Sequence, residues 1–288
     1  MSKVKIITER IASLTYKQAK KLDISLLPVN IIHKDEVIRD DNDTNAEKFL
    51  EKLPTFDEIP STAVPPVGEI YEFFKQEMND SNEGIYIAAS SKLSGIHNAS
   101  LKAAEMLEKD GKKLKVFDSY GVVSIEGMYA YEAHNLSEDG RNLEDIYDRL
   151  VNLRDEKKVI EYGVIETLKY LEKNGRIGKA KSWIASLLST KPIISAKDGL
   201  LEPISRVRTH NQGLEKIVKL IKSDIERTKA KDIELMLDYS LTDEFVKETV
   251  IPRLRDEFKP KIISINQISI VIACHLGPTI WGVCVKLD

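Results

Sequence analysis

Short apolar runs at residues 4–8, 26–33, 84–90 and 114–118 are separated by longer stretches in which apolar positions recur every three or four residues. Strand-sized runs alternating with helical periodicity are the signature of an α/β fold. Two helical stripes are legible: Ile96, Ala99, Ala103, Met106 and Leu107, and Leu143, Ile146, Tyr147 and Leu150. The first half is therefore expected to be a three-layer α/β/α domain with a mostly parallel sheet. A charged stretch at residues 155–158 precedes a new apolar run at Val159–Ile165, which places the boundary there and predicts domains 1–157 and 158–288. Beyond it the order of elements changes. Two strand patterns flank the turn signal Lys197-Asp198-Gly199, predicting a hairpin. A helix with Leu214, Ile217, Val218, Ile221 and Ile225 on one face follows, then a strand at 234–238 and a helix that Pro252 starts, kinks or interrupts. Residues 262–268, 271–275 and 281–287 read as strands, the last pair joined by Gly277-Pro278. This half is expected to be α+β, with a mixed or antiparallel sheet and helices.

Composition narrows the class. A chain of 288 residues is roughly twice the usual length of about 150 per domain, so two cores are expected. With 42% hydrophobic and 31% charged residues it is suited to globular folding. A net charge of −3 supplies no basic field for nucleic acid, which is excluded as a partner. Apolar runs such as residues 270–274 fall far short of the roughly 20 residues that span a bilayer. No transmembrane segment is expected, only transient membrane contact. Cys274 and Cys284 form no CxxC, and the start Met1-Ser-Lys-Val-Lys-Ile carries no signal-peptide stretch. A reduced, cytoplasmic protein is expected, with Cys274 a buried strand residue.

Several chemistries lack their motifs. There is no GxxxxGK[ST] loop, no GxGxxG, no HExxH and no Cys/His set at zinc spacing, so no metal and no cofactor is expected. What remains is a set of hydroxyls. Ser94 and Gly95 stand between a strand and a helix, where unpaired amides and the helix dipole favour a carboxylate or phosphate. Ser94 reads equally well as a plain N-cap. Thr62 lies in a proline-flanked loop, an ordinary place for a turn residue. His275 precedes a Gly-Pro turn, where it can donate to an anion or be satisfied by the turn's carbonyls. Arg176 sits between Gly175 and Gly178, either beside a ligand or on the surface. A serine and a histidine also raise nucleophilic catalysis, yet no Gly-x-Ser-x-Gly elbow is present.

In order and spacing, these segments resemble the DegV family of bacterial fatty-acid-binding proteins, the lipid-carrying subunits of fatty acid kinase. The resemblance runs through Val4-Lys-Ile-Ile-Thr8, Leu26-Leu-Pro-Val29, Arg39-Asp40 with Asp43, Pro60-Ser-Thr62, Ser90-Ser-Lys-Leu-Ser-Gly95, Val116-Phe-Asp-Ser119, Gly175-Arg-Ile-Gly-Lys179, Leu187-Leu-Ser-Thr-Lys-Pro-Ile193, Val207-Arg208 and His275-Leu-Gly-Pro278. It implies the EDD fold, and a long-chain fatty acid with its carboxylate between the domains and its tail in an apolar tunnel. The head group is expected at Thr62, Ser94, Gly95 and His275, with Arg176 close by and Arg208 at a partner-docking surface. It implies a carrier rather than an enzyme, a bound fatty acid in place of a cofactor, and a separate kinase subunit as partner; a monomer is expected. The alternatives left open are a regulatory module for another lipid or small anion, and an acyl hydrolase. The chain departs from the family pattern at Glu9-Arg10-Ile11, where Asp-Ser-Thr is usual, at Ala63-Val64 after Thr62, and at Ile96 after Ser94-Gly95.

Overall fold

A computed structural model describes residues 3–41, 45–186 and 189–288. Asp43, Leu187 and Leu188 therefore lie outside the described residues. In chain order the elements are β1 (Lys5–Glu9), α1 (Tyr16–Lys21), β2 (Ile24–Leu27), β3 (Asn30–His33), β4 (Glu36–Arg39), α2 (Ala46–Lys52), β5 (Ser61–Ala63), α3 (Val67–Glu77), β6 (Glu83–Ala88), α4 (Ile96–Lys109), β7 (Lys113–Asp118), α5 (Ser124–Glu138) and α6 (Leu143–Asp155). The chain continues through β8 (Val159–Ile165), α7 (Lys169–Lys173), β9 (Lys191–Lys197), β10 (Leu200–Val207), α8 (His210–Thr228), β11 (Ile233–Tyr239), α9 (Asp243–Phe245), α10 (Ile251–Phe258), β12 (Lys261–Gln267), α11 (Ile270–Leu276) and β13 (Ile280–Leu287). Contacts group these into two compact units: Met1–Thr44, Thr62–Glu156 and Asp198–Leu200 in the first, Asn45–Ser61, Lys157–Lys197 and Leu201–Asp288 in the second.

The first unit is built on a sheet ordered β2-β1-β6-β7 with every pairing parallel. Parallel strands buried on both faces need continuous apolar runs, and β1 supplies one: Ile6 and Ile7 are buried. Helices α3 and α4 pack on one another, as do α5 and α6, and both pairs contact the sheet. The expected stripe on α4 holds at Ile96, Ala103 and Leu107, whereas Met106 is 37% exposed and buried Ser100 lies on the inner face instead. The apolar run at 26–33 divides at Pro28 into the end of β2 and then β3, which pairs antiparallel with β4.

The second unit is a six-stranded sheet ordered β10-β9-β8-β13-β11-β12. The pairings of β9 with β8, β8 with β13 and β13 with β11 are antiparallel, and that of β11 with β12 is parallel. One face meets α8 and α10 through a core that includes Val164, Ile217, Ile221, Leu237, Leu254, Trp281 and Val283. Asp198 and Gly199 both have positive φ (49° and 84°) between β9 and β10, the backbone a tight hairpin turn requires. Pro252 occupies the first turn of α10, after a π-helical stretch at Val246–Val250. Val250 and Ile251 keep helical backbone angles, so the proline sits within a continuous helix and supplies no amide to the turn before it.

One predicted element is wrong. Residues 271–275 form no strand but most of α11. A short run of Ile, Val and Cys carries no period that separates strand from buried helix. The flanks decide: Ser269 Oγ accepts from Ile272 N at 3.3 Å, and Gly277 ends the helix with φ of 88°. Every residue of α11 except His275 is buried, so the helix shows no amphipathic stripe. His275 accordingly stands at a helix end. The fold class is otherwise as expected: a parallel α/β sheet first, a mixed sheet with helices second.

Candidate functional site

In an open parallel sheet, ligands gather at the carboxyl ends of the strands where the strand order reverses. In the first unit that point lies between β1 and β6, since the chain runs from β1 outward to β2 while β6 lies on the other side of β1. Glu9 ends β1 there, fully buried. Its two oxygens accept from Tyr86 Oη and from the Ala89 amide, each at 2.8 Å. Burial raises its carboxyl to about 7, against the lowering effect of the bonds from Ala89 and Tyr86. A second fully buried acid, Glu126 on α5, meets Thr8 Oγ1 at 2.6 Å. Burial and then the neighbouring Glu9 hold its carboxyl well above the ordinary range. Sequence reasoning noticed Glu9 as a departure but not this pair, because Glu126 lies 117 positions away and carries no local signal.

The loop that leaves β6 holds Ser94 and Gly95. Ser94 Oγ accepts from the Ile96 amide at 3.2 Å, so Ser94 caps the first turn of α4 from one residue before Gly95, the N-cap. Accepting there leaves its proton to be given to an acceptor. Gly95 is exposed, and a Cβ built on it would lie 3.7 Å from a Val64 methyl. The segment after Thr62 and the 94–95 turn are therefore neighbours. Thr62 is not in a loop, as expected, but in β5, in one sheet with β3 and β4. Its short strand was illegible among prolines. Ser90, by contrast, gives its hydroxyl to the Gly199 carbonyl at 2.7 Å. Arg10 is drawn to Asp40 at 3.3 Å and to the Leu14 carbonyl at 2.5 Å.

The second unit brings Arg176 and His275 near one another. Arg176 is exposed and donates to the Asn174 carbonyl at 2.6 Å. Buried Asn174 donates to the carbonyls of Pro60 at 3.1 Å and Cys274 at 2.8 Å, tying the 174–178 segment to the helix that bears His275. Asn174 was missed because an amide in a glycine loop reads as turn chemistry. Arg208 is exposed just before α8, its amide donating to Gln212 Oε1 at 2.9 Å. Burial, then the charge of Arg176, lowers the His275 pKa to about 4. An unfolded histidine titrates near 6.5. The unfolded chain thus binds the extra proton between those values, and stability present above about pH 6.5 is lost as pH falls toward about 4. His275→Gln is expected to flatten that acid limb in denaturation measured across pH, and the His275 ring to titrate near 4 by NMR. A ring midpoint near 6.5 would refute the assignment.

Comparison with known proteins places this geometry. The model of the DegV family, described as uncharacterised proteins, matches residues 3–287. The chain belongs to the DegV family. A DegV domain-containing protein of Clostridium perfringens is 28% identical over 282 residues, 97% of this chain and 97% of that one. Among solved structures, a DegV family protein from Thermus thermophilus described by its fatty acid binding superposes with a TM-score of 0.90 at 22% identity, over 100% of both chains. A stearic acid-binding protein from Eubacterium ventriosum gives 0.90 at 21%, over 99% of this chain and 98% of that one. These likenesses establish the DegV fold for the chain. Among the described residues no helix is long and apolar enough to cross a membrane.

Proposed function

We propose that this DegV protein binds a long-chain fatty acid and presents it to a separate partner such as a fatty acid kinase subunit, itself carrying out no chemistry. The observation that carries the reading is family membership over residues 3–287, joined to the hydroxyl of Ser94 at the mouth of a 14-residue helix beside Gly95. Fold neighbours described with stearic acid and heptadecanoic acid support the ligand class. Thr62, Ser94 and the Gly95 amide are the proposed carboxylate ligands, with Arg176 and His275 as further head-group partners and Arg208 at a partner-docking surface. A neutral His275 serves here as a hydrogen-bond group, while Arg176 supplies the charge. Burying about fourteen methylenes at ~0.8 kcal/mol each yields ~11 kcal/mol before association costs. The tail gives affinity, and the polar groups limit the desolvation penalty of the head.

Denaturing extraction of the purified protein followed by mass spectrometry is expected to release a long-chain acid. Thr62→Val with Ser94→Ala is expected to lower retention about a hundredfold or more, since each lost bond to a charged group is worth ~1.5–3 kcal/mol. Unchanged occupancy in the double variant would defeat the head-group assignment, and an empty extract the ligand class.

A further inference from the structure

The two buried acids of the first unit present a problem of proton count. Thr8 Oγ1 lies 2.9 Å from the Ile87 carbonyl and 2.6 Å from Glu126 Oε1. A hydroxyl has one hydrogen and can donate once. The Ile87 carbonyl can only accept, so it takes that hydrogen. The shorter contact then needs a proton of its own, and only the Glu126 carboxyl can supply it. Glu9 shows the opposite pattern. Both its oxygens are met by donors, the Tyr86 hydroxyl and the Ala89 amide, which suits an acceptor-only carboxylate.

We infer that Glu126 is a positioning residue for the 90–95 loop: a neutral carboxylic acid that donates to Thr8, which donates to the Ile87 carbonyl, while an ionised Glu9 holds the amide of Ala89 directly before that loop. Above the Glu9 value of about 7 the pair holds one proton between them. Like charges enclosed together cannot both ionise without a large penalty. Burial, then the charge of Glu9, act on Glu126 in that same direction and outweigh the opposing hydrogen bond from the Glu9 backbone. The titratable side chain that faces both acids is Tyr86 on β6, which feels the charge of Glu9 and of Glu126; the cations nearest in sequence on the packed elements are Arg10 after β1 and Arg149 and Arg154 on α6. Arg10 is engaged by Asp40, Arg149 by Glu132 and Arg154 by Asp155. Glu132 and His134 follow on α5 itself.

Ile87 and Ala89 flank the last residue of β6. Two proton-dependent bonds thus fix the point from which Ser90 to Gly95 departs. Losing the Glu126 proton would place two negative charges at that point, break the relay to Ile87 and loosen the loop. That the loop holds a lipid head rests on the proposed function; the proton inventory does not.

The test therefore uses the full chain freed of lipid. The infrared carbonyl band of a neutral carboxylic acid is expected above the Glu9 value of about 7, at about pH 8.5, and should vanish in Glu126→Gln while persisting in Glu9→Gln. Because the folded chain keeps on Glu126 a proton that an unfolded glutamate near 4.3 releases, the unfolding constant should rise about tenfold per pH unit above about pH 7, where Glu9 is ionised in both states. Glu126→Gln, whose amide can still donate to Thr8, should remain folded and lose that slope; Glu126→Ala should be less stable at every pH. Hydrogen exchange at Ala89 and the loop, corrected for intrinsic rates, should accelerate in alkali in the wild type only. A band that survives Glu126→Gln, or an unchanged slope or alkaline exchange response in that variant, would overturn the inference. Fatty acid retention, measured separately, reports on the ligand reading alone.

Discussion

Gly277→Ala is expected to destabilise the second unit by about 3 kcal/mol and, on the proposed function, to lower fatty acid retention. At φ 88° and ψ 177°, Gly277 occupies a region of backbone space that is essentially glycine-only, with a cost of about 1–3 kcal/mol for a side chain. Space is lacking as well. A Cβ would lie 2.8 Å from two ring carbons of Tyr170, inside any real contact distance. Tyr170 is 7% exposed and its ring cannot yield without opening a gap in packed surroundings. The amide of Gly277 also closes α11 by donating to the Ala273 carbonyl at 2.8 Å. Relief of the clash therefore moves the helix end that carries His275. Chemical denaturation should show the midpoint falling with an unchanged slope, and extraction should show reduced lipid. Wild-type stability in this variant would mean that the Tyr170 ring is not held where it lies.

Gly277 also illustrates what a sequence shows. The Gly-Pro pair announced a turn, and one was found, but the same pair fits a strand end and a helix end alike. The flanks Ser269 and Gly277 make α11 a helix, and burial of every residue but His275 erases the periodicity from which helices are recognised. The parallel sheet of the first unit was legible for the opposite reason: β1, β6 and β7 are short apolar runs among amphipathic helices whose stripes survive, as at Leu143, Ile146 and Leu150. The capping role of Ser94 at the start of α4 followed from its place between strand and helix. The contacts of Glu9 and Asn174 did not, because a buried acid is stabilised by partners 77 and 80 residues away and a buried amide by carbonyls 100 and 114 residues away. No local pattern encodes such pairs.

The second large effect is expected at Trp281. Its side chain is fully buried in the core between the six-stranded sheet and α8, with Phe245 against it at 5.5 Å between ring centroids. Trp281→Ala should cost ~3–5 kcal/mol, the range for emptying an aromatic site in a core that relaxes only in part. Part of this is directional. The indole Nε1 donates to His210 Nδ1 at 2.9 Å, which requires that nitrogen to be unprotonated. Trp281→Phe restores most of the buried area and removes only the donor, so it separates the two contributions: about 1–3 kcal/mol should remain as the cost of the unmet acceptor. The histidine supplies a second readout. Its pKa is lowered by burial first and by Lys191 next, against the pull of Glu166. A bond that only the neutral ring can accept acts in the lowering direction too. Losing the indole should raise the His210 midpoint in an NMR titration of Trp281→Phe. Equal destabilisation by both variants, with no movement of that midpoint, would show that packing alone carries the role of Trp281.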